Sequence, residues 1–337
     1  VLGLAALWLI QSWTRSAPPR TAAAPVSEAA TPVAPAGTVT NIYAHNLRLH
    51  QGPDFRVYVQ WLRGQLKPAR AGVIPSFDDP ESFYLNVTNG VMRVNLGDIC
   101  NYLNAKATHT PLTDVWITGT GDQVKITGKL HKGITVPVEV RGVIKPASNN
   151  RVVINVYKIS VLKIPVKGLL GEFHVTLANL LPSDPIPGVE LQGNNIYFDS
   201  NLLVPAPHIR GTLTSVSLSS PDLQAVYGDV AKDEARVEQW RNFLRLSDGT
   251  LTFGKLTMRN VDLMMIDITQ DAWFDLDLAH YQDQLVNGYS RMTPDQGLQI
   301  FMPDVSALKT RQISQISIEW FKNRNNAPPA SVVPKKP

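Results

Sequence analysis

Over most of the chain, hydrophobic and polar residues alternate with a period of two, so the sequence reads first as strands. In FRVYVQWL, Phe55, Val57, Val59 and Trp61 share one face, while Arg56, Tyr58 and Gln60 share the other. NIYAHNLRLH before it is a less regular strand. SFYLNVTNGVMRVN carries Asn89-Gly90, a dipeptide that favours tight turns, and predicts a hairpin there. From Pro111 to Ile164 the chain predicts a run of hairpins, with turn chemistry at Gly119 to Asp122, at Lys132-Gly133 and at Ser148 to Asn150. Short connections between long strands imply antiparallel pairing. Further strands are expected in VELQGNNIYFDSNLLV, HIRGTLTSVSLS, GLQIFMPD and QISQISIEWF, with a strand pair in SDGTLTFGKLTMRNVDLMMIDI.

The period changes to that of a helix at a few places. LGDICNYLNAKA sets Leu96, Ile99, Cys100 and Leu103 on one side. PVKGLLGEFHVTLANLLP sets Val166, Leu169, Leu170, Phe173, Leu177, Leu180 and Leu181 in one stripe, with Pro165 suited to its first turn and Pro182 to its end. Leu96 to Ala105 and Pro165 to Leu181 are therefore the two principal helices expected. AKDEARVEQWRNFL and DLAHYQDQLVNGY read as shorter ones. The fold class expected is α+β, dominated by a long twisted antiparallel sheet. Two β-rich domains joined near residue 230 are the alternative, and no tandem repeat is visible.

The ends have a different composition. Val1 to Ile10 are apolar or Gly, and Trp8 and Trp13 suit a headgroup layer. About ten residues rise only about 15 Å, against a hydrocarbon core of about 30 Å. Residues 1–13 are thus expected to be a truncated membrane anchor, continuing upstream, with a signal-peptide remnant or a buried helix as alternatives. Residues 14–38, rich in Pro, Ala, Ser and Thr, read as a disordered linker, and residues 323–337 as a disordered tail. The body then divides into a β-rich domain at 39–228 and a β-rich extension at 229–322. A net charge of +4 is too mild to mark a nucleic-acid binder. One cysteine excludes an intrachain disulfide.

Candidate chemistry is sparse. GTLTFGKLT has the glycine and lysine spacing of a phosphate loop, but Leu256 stands where a magnesium-binding hydroxyl is needed, so a hairpin is expected, with Asp248-Gly249 as its turn. Asp262, Asp267, Asp271, Asp275, Asp277 and Asp283 lack calcium-loop offsets and read as a solvated acidic face. The seven histidines show no metal-ligand spacing, and no nucleophile motif occurs. Cys100 reads as a small buried hydrophobe. No catalytic residue, metal or cofactor is expected. A hydrolase using some of the clustered aspartates is the enzyme alternative. Arg56, Arg63, Lys67 and Arg70, with no acid among them, are candidates for contact with anionic headgroups or a membrane surface.

The order SFYLNVTNGVMRV, LGDICNYLNAK, the hairpins with VPVEVRG, IPVKGLLGEFHVTL and GVELQGNNIYFD resembles the tubular lipid-binding (TULIP) superfamily, particularly its bacterial envelope members, over roughly residues 80–228. That resemblance implies a long curved antiparallel sheet wrapped around amphipathic helices, with an apolar groove for acyl chains. The groove would be lined by Leu96, Ile99, Leu103, Val166, Leu169, Leu170, Phe173 and Leu177. It further implies a periplasmic domain at a bacterial inner membrane that binds or transfers lipid. Membrane lipid is then the expected partner, with another envelope protein as a further one, and nucleic acid is not. The competing expectation is a membrane-tethered scaffold without ligand.

Overall fold

A computed structural model describes residues 39–51, 55–106, 111–132, 134–161, 177–180, 187–229, 240–269 and 271–308. The first strands are β1 (Thr40–Gln51), β2 (Phe55–Pro68) and β3 (Phe83–Asn95), followed by helix α1 (Leu96–Lys106). Four long strands come next: β4 (Leu112–Gly121), β5 (Gln123–Lys132), β6 (Ile134–Ala147) and β7 (Arg151–Val161). Then come β8 (Val189–Gln192), β9 (Asn195–Asp199), α2 (Ser200–Leu203), β10 (His208–Gly211), β11 (Leu213–Ser219) and β12 (Asp222–Tyr227). The last part holds β13 (Phe243–Phe253), β14 (Leu256–Asp267), β15 (Phe274–Asp277), α3 (Tyr281–Val286), β16 (Tyr289–Met292) and β17 (Leu298–Met302).

All seventeen described strands join one mixed sheet. On one side of β2, pairing runs through β1, β13, β14 and β17 to β16. On the other it runs through β3, β12, β11, β4, β5, β6, β7 and β9 to β8. β15 lies parallel to the second half of β1, and β10 parallel to the first half of β3. Strands from residues 243–302 are therefore stitched to the N-terminal strands through β1.

The expected α+β class, an antiparallel sheet around amphipathic helices in the TULIP manner, is overturned. The described residues hold only three α-helices, of 11, 4 and 6 residues, and three of the strand pairings are parallel. The physical reason is that the sheet supplies its own inner lining: Val136, Val138, Val140 and Ile144 of β6 face Val216 and Leu218 of β11 in one core. Of the second expected helix, residues 165–176 and 181 lie outside the described residues, and Leu177–Leu180 is a 3₁₀ turn. Most of AKDEARVEQWRNFL also lies outside, although Phe243 and Leu244 belong to β13. Among the described residues no helix is long and apolar enough to cross a membrane, and the transmembrane and signal-anchor reading has no support there. Residues 1–13, on which it rested, lie outside the described residues.

Asn89-Gly90 does not turn the chain. β3 runs straight through it, between two bulges in its pairing with β2. A Cβ on Gly90 would stand 2.9 Å from the Trp61 carbonyl oxygen, so the glycine serves close strand approach rather than a turn. The bulge at Gln60 also changes which face of β2 is buried: Phe55, Val57 and Val59 point inward before it, Leu62 and Leu66 after it. In the β13–β14 hairpin the reversal falls at Gly254-Lys255, and Asp248 and Gly249 are positive-φ residues inside β13.

Local chemistry explains α1. Asn95 caps it, its side-chain oxygen accepting from the Gly97 amide at 2.8 Å. Leu96 and Cys100 are fully buried, while Ile99 and Leu103 pack at the edge of the core. Farther along, Asn104 exchanges two hydrogen bonds with the Val115 backbone, at 2.8 and 3.0 Å, and fixes the helix to β4. The buried residues form two large clusters. One gathers β1, β2, β3 and the C-terminal strands; the other gathers α1 and strands β4 to β7, with β9 and β11.

Candidate functional site

Where the two clusters meet, a cavity of about 190 Å³ remains. Phe55, Val57 and Met92 reach it from the first cluster, and Leu96, Ile117 and Ile154 from the second. α1 forms part of the wall with Ile99, Tyr102 and Leu103. Phe55 and Tyr102 meet edge to face there, with ring centroids 6.2 Å apart. Ala225 and Leu223 of β12 and Val152 of β7 add to the lining. Among the described residues lining it, none carries a charge.

The sheet folds over part of this space, and the fastening is local. The β6–β7 reversal, Ser148 to Arg151, puts Asn149 and Asn150 at φ 60° and 59°. Asn tolerates that left-handed region better than most residues. Asn150 Nδ2 donates to the Ile209 carbonyl at 2.7 Å and to Ser200 Oγ at 3.0 Å. β10, which carries Ile209, is paired with β3. The hairpin tip is thus tied to the opposite wall. From β1, Gln51 Nε2 donates to the Pro207 carbonyl at 2.8 Å.

Gln51, Asn150, Ser200 and Tyr227 are the polar part of the lining around this fastening. Burial pushes the Tyr227 phenol up to about 12, with the Asn150 amide beside it pulling the other way. Tyr227 therefore stays protonated at any ordinary pH.

Of the residues expected to line a groove, Leu96, Ile99 and Leu103 line the cavity. Leu177 is buried in the adjoining cluster, and Val166, Leu169, Leu170 and Phe173 lie outside the described residues. The basic residues are not brought together. Arg56 and Lys67 are separated along β2 by on the order of 35 Å, Arg63 lies over the Tyr43 ring at 4.1 Å, and Arg70 is exposed in the following bend.

The aspartates are not one solvated face. Asp267 and Asp275 are buried, and with Asp304 they form a network beside the β1–β15 pair. Arg48 Nε donates to Asp275 Oδ1 at 2.7 Å and His50 approaches the same oxygen at 2.5 Å. Asp304 Oδ1 accepts from the Asp275 amide at 2.7 Å. Asp267 accepts from Asn242 at 3.0 Å and from the Thr269 amide and hydroxyl. None of these carboxylates lines the apolar cavity. Among the described residues no group of three or more His, Cys, Asp or Glu is placed to hold a metal ion.

Comparison with protein-family models, curated proteins and solved structures finds no match. The reading of this site therefore rests on its own geometry. Sequence reasoning missed Gln51, Asn150 and Tyr227. The only signal for any of them was the turn chemistry of Ser148 to Asn150, which located the reversal without showing what its tip would meet.

Proposed function

We propose that the protein takes up the apolar part of a lipid, or of another long apolar molecule of the cell envelope, in the cavity between its two cores, and presents or transfers it. The observation that carries this is an uncharged cavity of about 190 Å³ walled by aliphatic and aromatic side chains from α1 and from both folds of the sheet. Folded interiors are normally filled to crystal-like density, and a smaller dry cavity of about 150 Å³ already binds benzene. Each methylene moved from water into such a space contributes about 0.8 kcal/mol, so an aliphatic chain needs few polar contacts to be held. No catalytic group is required for that task.

The resemblance to the tubular lipid-binding superfamily implies the same class of ligand, but the cavity carries the proposal. The test is native mass spectrometry of the purified full chain, with solvent extraction of what it retains. A stoichiometric apolar small molecule is expected. A chain that carries no apolar molecule and takes none up from mixed-lipid vesicles would overturn the proposal in favour of a scaffold without ligand.

A further inference from the structure

We infer that the outer face of strands β4 to β7 docks on an anionic lipid surface. This face is the reverse side of a cavity wall, and its role does not depend on what the cavity holds. Alternation with a period of two gives these strands two sides. Val124 and Ile126 of β5 are buried on the inner side, and Lys125 between them is exposed. The registers carry the outer side across the sheet. Thr118 of β4 pairs with Lys125, Lys125 with Arg141 of β6, and Arg141 with Lys158 of β7. Residues paired in register share a side, and neighbouring strands lie about 4.8 Å apart, so three cations stand in one row about 10 Å long. Lys145, four residues beyond Arg141 on β6, is exposed on the same side. Arg141 is bonded to Glu139 at 2.6 Å. Lys129, on the same side of β5, is bonded to Asp114 at 2.8 Å. Lys125, Lys145 and Lys158 have no carboxylate within ion-pair distance among the described residues, so the face keeps a positive excess.

Charge alone would suit any polyanion, and two aromatic side chains decide between them. Trp116 is 53% exposed and Tyr157 61%. Trp116 pairs with Thr127, two residues from Lys125, and so belongs to the outer side. Tyr157 is the extra residue of the bulge opposite Arg141, and its hydroxyl donates to Gln123 Oε1 at 3.1 Å, over β6. The two rings thus stand on β4 and β7, on the order of 14 Å apart, with the lysines between them. Indole and phenol rings have an apolar body and a polar tip, which suits them to the headgroup layer of a membrane. Lysines beside them attract anionic headgroups. A nucleic-acid duplex keeps its bases stacked inside and offers such rings nothing to bury in.

The test is co-sedimentation of the full chain with vesicles of phosphatidylcholine, alone or mixed with phosphatidylglycerol. Binding to the mixed vesicles is expected to be about a hundredfold tighter and to weaken with salt. Lys125→Gln combined with Lys158→Gln is expected to lose about thirtyfold of that binding. Trp116→Ser, which keeps every charge, is expected to lose at least about threefold. All three side chains are exposed, and thermal melts check that the variants fold. Equal binding of the wild type to both vesicles would overturn the inference, and that comparison needs no variant. Mixed-vesicle binding undiminished in the double lysine variant, or in Trp116→Ser, would overturn it as well. So would capture of an oligonucleotide under conditions where the mixed vesicles are not bound, which would assign the face to nucleic acid. None of these outcomes bears on uptake into the cavity.

Discussion

Asn150 donates to the carbonyl of Ile209 at 2.7 Å, joining the tip of the β6–β7 hairpin to a short strand 59 residues farther along the chain. One side chain thus meets two demands, a left-handed backbone at φ 59° and the closure of the sheet over its cavity. Asn150→Ala is expected to destabilise the fold by about 3–4 kcal/mol, through about 1–2 for an alanine in that conformation and about 1 for each of the two lost hydrogen bonds. Asn150→Gly relieves the backbone part alone and should fall between the two. Equilibrium urea unfolding reads this directly. Equal stability of the alanine variant and the wild type would contradict the closure.

The buried carboxylates make stability depend on pH in two opposite ways. Burial raises the Asp275 carboxyl, but hydrogen bonds from His50 and Arg48 outweigh it and hold the group down at about 2. Its pairing therefore contributes stability that is complete above about pH 4 and is lost as pH falls toward 2. Asp304 is pushed up to about 6 by burial, with Asp267, Asp271 and Asp275 adding to the rise and the Asp275 amide opposing it. The folded state holds that proton more tightly than the unfolded chain, so stability falls as pH rises from about 4 to 6. Asp304→Asn keeps the acceptor for the Asp275 amide and removes the titration. It is expected to be the more stable protein at pH 8, by on the order of 2 kcal/mol, with the gain fading toward pH 4. Thermal melts across that range check it, and a gain independent of pH would contradict it.

Cys100 is fully buried in α1, accepts a hydrogen bond from the Ile117 amide at 3.2 Å, and has its thiol pushed up by burial. A disulfide reagent should label it at least about a hundredfold more slowly in the folded protein than in denaturant. Rapid stoichiometric labelling of the folded chain would place the thiol at the surface instead.

How far these features were legible beforehand varied with how local their causes are. The start of α1 was visible, because Leu96, Ile99, Cys100 and Leu103 follow a helical period within one short stretch. The turns at Gly119 to Asp122 and Ser148 to Asn150 were visible for the same reason. Asn89-Gly90 misled, because the glycine answers to the backbone of Trp61 across the sheet rather than to its own neighbours. The parallel pairings of β15 with β1 and of β10 with β3 left no trace either, since those strands are four residues each and take their place from the sheet around them. Three of the eight residues expected in the apolar wall, Leu96, Ile99 and Leu103, line the cavity and were readable from helical spacing. The polar end was not: Gln51 and Asn150 are 99 positions apart and meet the same short segment only after the sheet has folded over.

A larger side chain in the cavity should block uptake without unfolding the protein. Ala225 lies on β12 within the lining and packs against the first core. Ala225→Phe fills space that is empty, so its cost is expected to stay below about 1.5 kcal/mol while retention of an apolar molecule drops at least about tenfold. Unfolding curves and extraction of the same preparation supply both readings. Undiminished retention by a folded variant would remove the cavity from the account.

The most direct measurement is crystallographic location of a heavy atom on an apolar chain. Crystals of the protein soaked in 1-bromodecane should show an anomalous bromine peak inside the cavity, within van der Waals reach of Ile99, Val152 or Ala225. Bromine found only on the outer surface, with the cavity closed or filled by ordered water, would contradict the proposal that this space holds an apolar ligand.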